Sequence, residues 1–307
     1  MQRILRIGTR DSQLAVWQAT TVQSLLAANG IQAELVYIKS EGDLDLHTPL
    51  YAMGVQGVFT RALDSALLND RIDIAVHSMK DVPVQLAIGI EEAAVLERAS
   101  HKDILVYKED ATFLDHLQSY AVIATSSIRR KAQWLNRYPN HRIENLRGNV
   151  NTRLRKVAES DWNGAIFAAA GLERIALRPE QTIDLDWMLP APAQGAIMVV
   201  ARANDPYALE ACAPLNHQDT ATCVKQERSF LSALMGGCST PISAFARMEK
   251  GALHFTGSVL SADGADKLEI ERIESDPALF ASIGSNAAKE LIQRGADQII
   301  KKFRQNG

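Results

Sequence analysis

Short runs of aliphatic and β-branched residues alternate with longer stretches of helical periodicity over the first two thirds of this chain. Strand-like runs at 3–8, 33–38 and 72–77 are separated by helical stretches from Ser12 to about residue 28 and from about 60 to 69. In the first helix Leu14, Trp17, Leu25 and Leu26 are read as one apolar face, with Ser12 as the cap and Gly30 as the stop. A second set spans about 103–190, with strands near 104–106, 122–124, 143–145 and 165–168 and helices opening after Ser127 and Asn149. Such alternation is satisfied by parallel or mixed sheets with helices on both faces. Past residue 216 the order changes to a helix at about 220–234, strands at 242–248, 252–260 and 266–274, and a helix at about 277–294. Lys250-Gly251 and Asp263-Gly264 are the turn signals, and 301–307 reads as a polar tail. The expected fold is therefore two α/β units followed by an α+β unit with a three-stranded antiparallel sheet. The expected boundaries are 1–97 with 196–215, 98–195, and 216–307. The loop at 40–57, with Gly42, Pro49, Gly54 and Gly57, is too long for filler and is expected to be functional.

The strand ends carry the chemistry, where open α/β sheets bind ligands. Arg6, Arg10, Asp11 and Ser12 are read as a cluster at the first turn, and His77-Ser78-Met79-Lys80-Asp81-Val82-Pro83 closes the third strand. Thr125-Ser126-Ser127-Ile128-Arg129-Arg130 and Leu146-Arg147-Gly148-Asn149-Val150-Asn151-Thr152-Arg153 each open a helix. Hydroxyls and guanidiniums at a helix N-terminus receive carboxylates or phosphates. Repeated in both α/β units, they imply a polyanion in the cleft between them. From residue 125 to 155 the only acid is Glu144, against Arg129, Arg130, Lys131, Arg137, Arg142, Arg147, Arg153 and Arg155, although the whole chain carries a net charge of −3. That balance gives no reason to expect nucleic acid and every reason to expect a local anionic ligand. Within such a cleft Asp81 is suited to accept a proton or to hold a transient cation.

Cys238, after Gly236-Gly237 and before Ser239-Thr240-Pro241, sits on an exposed loop and is the accessible thiol. Cys212 and Cys223 lie in helical stretches and read as small core residues. Neither cysteine nor histidine spacing makes a disulfide framework or a metal site. No apolar run is long enough to span a membrane. The N-terminal Met-Gln-Arg leads straight into a strand, so a cytoplasmic protein without a signal peptide is expected.

Taken in chain order, Thr9-Arg10-Asp11-Ser12, the motif at 77–83, the motif at 125–130, Leu146-Arg147-Gly148-Asn149 and Gly236-Gly237-Cys238 resemble the porphobilinogen deaminase (hydroxymethylbilane synthase) family over essentially the whole chain. The resemblance implies two lobes like the halves of a type II periplasmic binding protein, with crossings near Arg98 and Gly195, and a third domain bearing the cofactor loop. It implies a dipyrromethane cofactor in thioether linkage to Cys238, extended by four porphobilinogens with loss of ammonia before hydroxymethylbilane is released, and a monomeric enzyme. Carried over by motif, Lys80, Ser127, Arg129 and Arg130 hold cofactor carboxylates. Arg10, Ser12, Arg147, Arg153 and Arg174 hold those of the incoming ring, and Phe59 stacks on it or packs in its helix. Asp81 is the catalytic carboxylate and also binds the cofactor. Each ring brings an acetate and a propionate, which suits forked guanidiniums better than ammonium groups. Three positions depart from the family pattern. Val55-Gln56-Gly57 stands for glycine-lysine-glycine, Pro192-Ala193-Gln194-Gly195 for valine-glycine-glutamine-glycine at the return hinge, and Val200 for a glutamate. A non-catalytic periplasmic-type anion-binding protein would show the same two lobes, but it predicts an export signal and gives Cys238 and the third domain no task. An inactive relative finds support in the Gln56 and hinge changes alone.

Overall fold

The computed structural model describes residues 3–39, 60–234 and 240–306. The 40–57 loop, Phe59 and the Gly236-Gly237-Cys238 segment lie outside the described residues.

Strands β1 (Leu5–Thr9), β2 (Ala33–Tyr37), β3 (Ile74–Ser78) and β4 (Ile90–Val95) are joined by helices α1 (Gln13–Ala28) and α2 (Arg61–Leu68). The chain then crosses to a second sheet. There β5 (Asp103–Tyr107), β6 (Val122–Ala124), β7 (Arg142–Glu144), β8 (Gly164–Ala168) and β9 (Thr182–Asp184) alternate with α3 (Ile128–Arg137), α4 (Val150–Glu159) and the short α5 (Ala169–Glu173). It returns as β10 (Ile197–Arg202), which inserts into the first sheet and is followed by α6 (Pro206–Cys212).

The first sheet runs β2-β1-β3-β10-β4 and the second β7-β6-β8-β5-β9. In each, four strands run in one direction and the strand arriving from the other lobe, β10 or β5, is antiparallel to both its neighbours. The sheets are therefore mixed, and each lobe is completed by a strand the other lobe delivers. β4, β9 and β10 are not signalled by the sequence patterns above. In β10 every residue from Ile197 to Ala201 is buried, so it has no alternation to read. Val200 is one of these and packs in an apolar cluster with Ala75 and Val95, a place with no use for a carboxylate.

Two readings of the first unit change. The buried face of α1 is Ala15, Gln18, Ala19, Val22 and Leu26, while Trp17 and Leu25 are over a third exposed. The small residues let the helix lie close on the sheet, and bulk alone is a poor guide to its inner face. Arg6 does not belong to the ligand end. It reaches the opposite edge, donating to Asp70 and to both carboxylate oxygens of Asp73, where Arg3, Arg202 and Asp205 complete an ion-pair network.

The third unit begins with α7 (Gln218–Ala233), followed by β11 (Ile242–Glu249), β12 (Ala252–Leu260) and β13 (Lys267–Glu274) in an antiparallel meander, and by α8 (Ile283–Gln293) and α9 (Ala296–Asn306). The segment expected to be a polar tail is helical through Asn306, and Ile299 and Ile300 are buried against the sheet. Pro277 to Ser282 is a 3-10 turn that precedes α8. Lys250 and Gly251, both at positive φ (50° and 83°), make the β11–β12 turn as read.

Candidate active site

The third strand ends at Ser78, and a 3-10 turn, Met79–Asp81, follows it. The turn is anchored by the Met79 N–H on the Ala196 carbonyl at 3.0 Å, so it sits against the returning chain. Its register leaves Met79 buried, Lys80 half-buried and Asp81 exposed to the cleft. The Lys80 ammonium lies 3.5 Å from Gln194 Oε1, and Gln194 Nε2 donates to the His101 carbonyl (2.8 Å) and to Asp103 Oδ1 (3.0 Å).

Asp103, fully buried at the start of β5, is the residue the motifs did not signal. Its Oδ2 accepts from Arg129 Nη2 at 2.7 Å, and its Oδ1 from Arg130 Nε and Nη2 at 3.0 and 2.7 Å. The same guanidiniums reach the Leu189 and Ile166 carbonyls. These bonds leave N–H groups of both arginines over for a ligand. Burial alone would raise the Asp103 pKa; Arg129, Arg130 and Lys80 bring it down to about 2. Ser127 caps α3 through a long bond from the Arg130 N–H (3.4 Å), so the capping serine and both arginines are fixed by one turn.

A second group forms where the N-termini of α1 and α4 meet across the cleft. Asn151 Nδ2 donates to Gln13 Oε1 at 3.1 Å, joining the two lobes. Asn149 caps α4 through the Thr152 N–H at 2.9 Å, and Arg153 Nε donates to the Gly148 carbonyl at 2.7 Å. Gly148 has φ 114°, and a Cβ there would stand 2.7 Å from Thr152 Cγ2, so only glycine makes this turn. Arg147 is buried, Arg10 and Arg153 are half-buried, and Ser12 stands at the N-cap of α1 without spending its hydroxyl on the helix.

Electrostatics tie the groups together. Burial, then Arg130, lowers Arg153 to about 10, with Asp81 opposing and Arg147 adding to the fall. Burial lowers Lys80 to about 8, with Asp81 opposing and Arg130 adding. Burial, then Arg10, lowers His77 to about 4. His77, Lys80 and Arg153 are thus held below their usual range first by burial, with Asp81 and Asp103 as acids among them.

Arg174 stands apart. Its Nη2 donates to the Gly195 carbonyl at 2.7 Å, and its guanidinium lies over the Trp17 ring, 5.6 Å from the centroid. Cys212 and Cys223 are buried and their thiols are pushed up to about 12, first by desolvation. Among the described residues no cluster of metal-ligating side chains occurs and no helix is long and apolar enough to cross a membrane.

The family profile described as "Porphobilinogen deaminase, dipyromethane cofactor binding domain" matches residues 5–210, and "Porphobilinogen deaminase, C-terminal domain" matches 221–293. A porphobilinogen deaminase of Acidithiobacillus ferrooxidans is 42% identical over 310 residues, covering 99% of both chains. One of Syntrophotalea carbinolica is 42% identical over 300 residues, covering 96% of this chain and 95% of its own. A periplasmic substrate-binding protein of an ABC transporter from Coxiella burnetii is similar in structure at 15% identity and a TM-score of 0.43, covering 73% of this chain and 97% of that one. With both parts of the chain matched and relatives of this identity aligned end to end, this chain belongs to the porphobilinogen deaminase family.

Proposed function

We propose that this chain is a transferase that condenses four porphobilinogens head to tail, with loss of ammonia, on a covalently held dipyrromethane and then releases hydroxymethylbilane by hydrolysis. The observation that carries this is a carboxylate, Asp81, exposed and near enough to Lys80 of one lobe and Arg153 of the other to act on the charge of both. The donor set fits a carboxylate-bearing group: burial holds Lys80 and Arg153 below their usual pKa against the pull of Asp81, and a bound carboxylate would favour their charged forms. When bound, the dipyrromethane supplies the free pyrrole end at which rings are added.

Lys80, on the turn of Asp81, and Ser127, Arg129 and Arg130, at the start of α3, hold the cofactor's carboxylates. Arg10, Ser12, Arg147 and Arg153, gathered at the meeting of α1 and α4, hold those of the incoming ring. Arg174 joins this set only through the hinge. Asp81 hydrogen-bonds pyrrole N–H groups and stabilises positive charge as ammonia leaves and the new bond forms. The thioether falls to Cys238 because Cys212 and Cys223 are buried with raised pKa values, whereas a thiolate is the nucleophile. We read the domains as 1–97 with 196–215, 98–195, and 216–307, the protein as a cytoplasmic monomer, and Phe59 as stacking on the incoming ring or packing in its helix.

Asp81→Asn tests this reading. It keeps size and a hydrogen-bond acceptor but removes charge, so single-turnover ammonia release from porphobilinogen is expected to fall by about 10²-fold or more while binding changes little. Near-normal release would overturn it. Cys238→Ser is expected to lower the intact mass by one dipyrromethane, and a pyrrole-bearing peptide containing Cys212 or Cys223 would refute the attachment.

A further inference from the structure

Helix α7 turns a different face to each of three regions. Thr220 and Glu227 face the hinge: Thr220 Oγ1 accepts from the Arg98 N–H at 3.1 Å, and Glu227 takes both ends of the Arg98 guanidinium at 2.8 and 2.7 Å. Phe230, Leu231 and Leu234 enter the core of the third unit. Ala221 and Val224 pack into the core of the first lobe. Arg228, four residues after Val224, continues this last stripe.

Arg228 meets the backbone of the turn that carries Lys80 and Asp81. Its Nη1 donates to the Val82 carbonyl at 3.0 Å and, at longer range, to that of Met79 at 3.4 Å. Its Nη2 donates to the Pro83 and Val84 carbonyls at 2.6 and 3.2 Å. The Met79 carbonyl also accepts the Val82 N–H, but those of Val82, Pro83 and Val84 lie outside any strand or helix that would satisfy them. One planar guanidinium supplies several at once and fixes their directions, which an ammonium does less well. Other described anchors of the turn are the Met79 N–H on Ala196 and the Val82 N–H on Met79.

We propose that Arg228 is the positioning residue for Asp81: a side chain from the third unit sets the orientation of the catalytic turn without touching substrate. α7 ends at Ala233, shortly before Cys238, so the helix that orients the Asp81 turn also leads into the segment bearing that cysteine. Arg228 lies about 8 Å before the helix end at a rise of about 1.5 Å per residue. A displacement of about 1 Å in a reacting group is enough to cost about 10²-fold in rate. The assignment rests on the reading of Asp81 given above.

The test uses cofactor-loaded Arg228→Gln, with Arg228→Lys as the conservative companion. Hydrogen–deuterium exchange at the Val82 amide is expected to speed up about tenfold or more in Arg228→Gln, with peptides of β6 and β8 unchanged and Arg228→Lys in between. Single-turnover ammonia release is expected to fall at least about tenfold with the porphobilinogen half-saturation within about threefold of the parent. Arg228→Gln added to Asp81→Asn is expected to slow release no further, since both act through one carboxylate. Exchange at 79–84 unchanged in both variants would overturn the anchoring. Losses that multiply in the double variant would overturn action through Asp81. Should Asp81→Asn itself prove fully active, the exchange result still decides whether Arg228 holds the turn.

Discussion

Asp103 is a carboxylate with no exposure to water, gripped by two guanidiniums and an amide. A buried ion pair broken on one side leaves uncompensated charge, so Asp103→Asn is expected to destabilise the fold by about 3–5 kcal/mol in urea unfolding at pH 7. Its folded pKa is about 2, below the ordinary carboxylate value. Its contribution is therefore fully present above about pH 4 and is lost as pH falls towards 2, so the gap between parent and variant narrows in acid. Lys80 shifts for the opposite reason. Burial disfavours its charged form and brings it to about 8. In cofactor-free Cys238→Ser protein near pH 8, Lys80 is expected to be the neutral amine more often than an exposed lysine, and a bound carboxylate would favour its protonated form. Acylation at pH 8, read by peptide mass, is expected to be faster at Lys80 than at the exposed Lys250 and Lys267, and to slow in loaded protein. Equal rates at all three lysines would rule this out.

At the scale of elements, close packing decides more than propensity. Gly257 in β12 lies under Phe230 of α7, and a Cβ there would stand 2.6 Å from the ring. Gly257→Ala is expected to cost about 1–3 kcal/mol by forcing the helix off the sheet, with the cofactor still attached in the intact mass. The lower part of α7 is braced by Glu227, a fully buried carboxylate that accepts from Arg98 and from the Ala193 and Ala246 N–H groups. That one side chain touches the outgoing crossing, the returning crossing and β11. Phe245 of β11 adds a face, stacked on His101 at 4.0 Å with the Arg98 guanidinium 5.4 Å from its ring centroid.

At the scale of the molecule, the chain crosses between the α/β lobes twice, and the returning crossing is conformationally demanding. Ala193 has φ 62° and Gly195 φ 87°, both left-handed. A Cβ on Gly195 would stand 2.7 Å from the Ser100 carbonyl oxygen and 2.8 Å from that of Ala99, the crossing beside it. Gly195→Ala is expected to lower stability by more than about 2 kcal/mol, since strain and backbone collision add. Ala193→Gly is expected to change it by less than about 1 kcal/mol, because strain relieved in the folded state is offset by entropy gained in the unfolded one. Thermal unfolding of the two variants beside the parent checks the contrast; a large loss in Ala193→Gly would show that the Ala193 methyl, buried and at positive φ, contributes packing that outweighs its strain.

The sequence alone determined what depends on neighbours along the chain. The strand–helix alternation, the caps at Ser127 and Asn149, the Lys250-Gly251 turn and the meander at 242–274 are local signals, and the described structure contains those elements; the motifs that resemble porphobilinogen deaminases are local signals too. Tertiary structure alone decided what depends on partners far apart in sequence. Bulk points to Trp17 and Leu25 as the inner face of α1, while the sheet accepts Ala15, Ala19 and Val22. Arg6 looked like a ligand residue until Asp73 claimed it. β10 has no alternation because both its faces are covered. Asp103 and Glu227 carry no motif, since a buried polar residue is specified by the donors that converge on it, and those come from other elements. The charge of the cleft was legible, but the placing of its arginines around Asp103 or the α1–α4 junction was a matter of how two lobes close on each other.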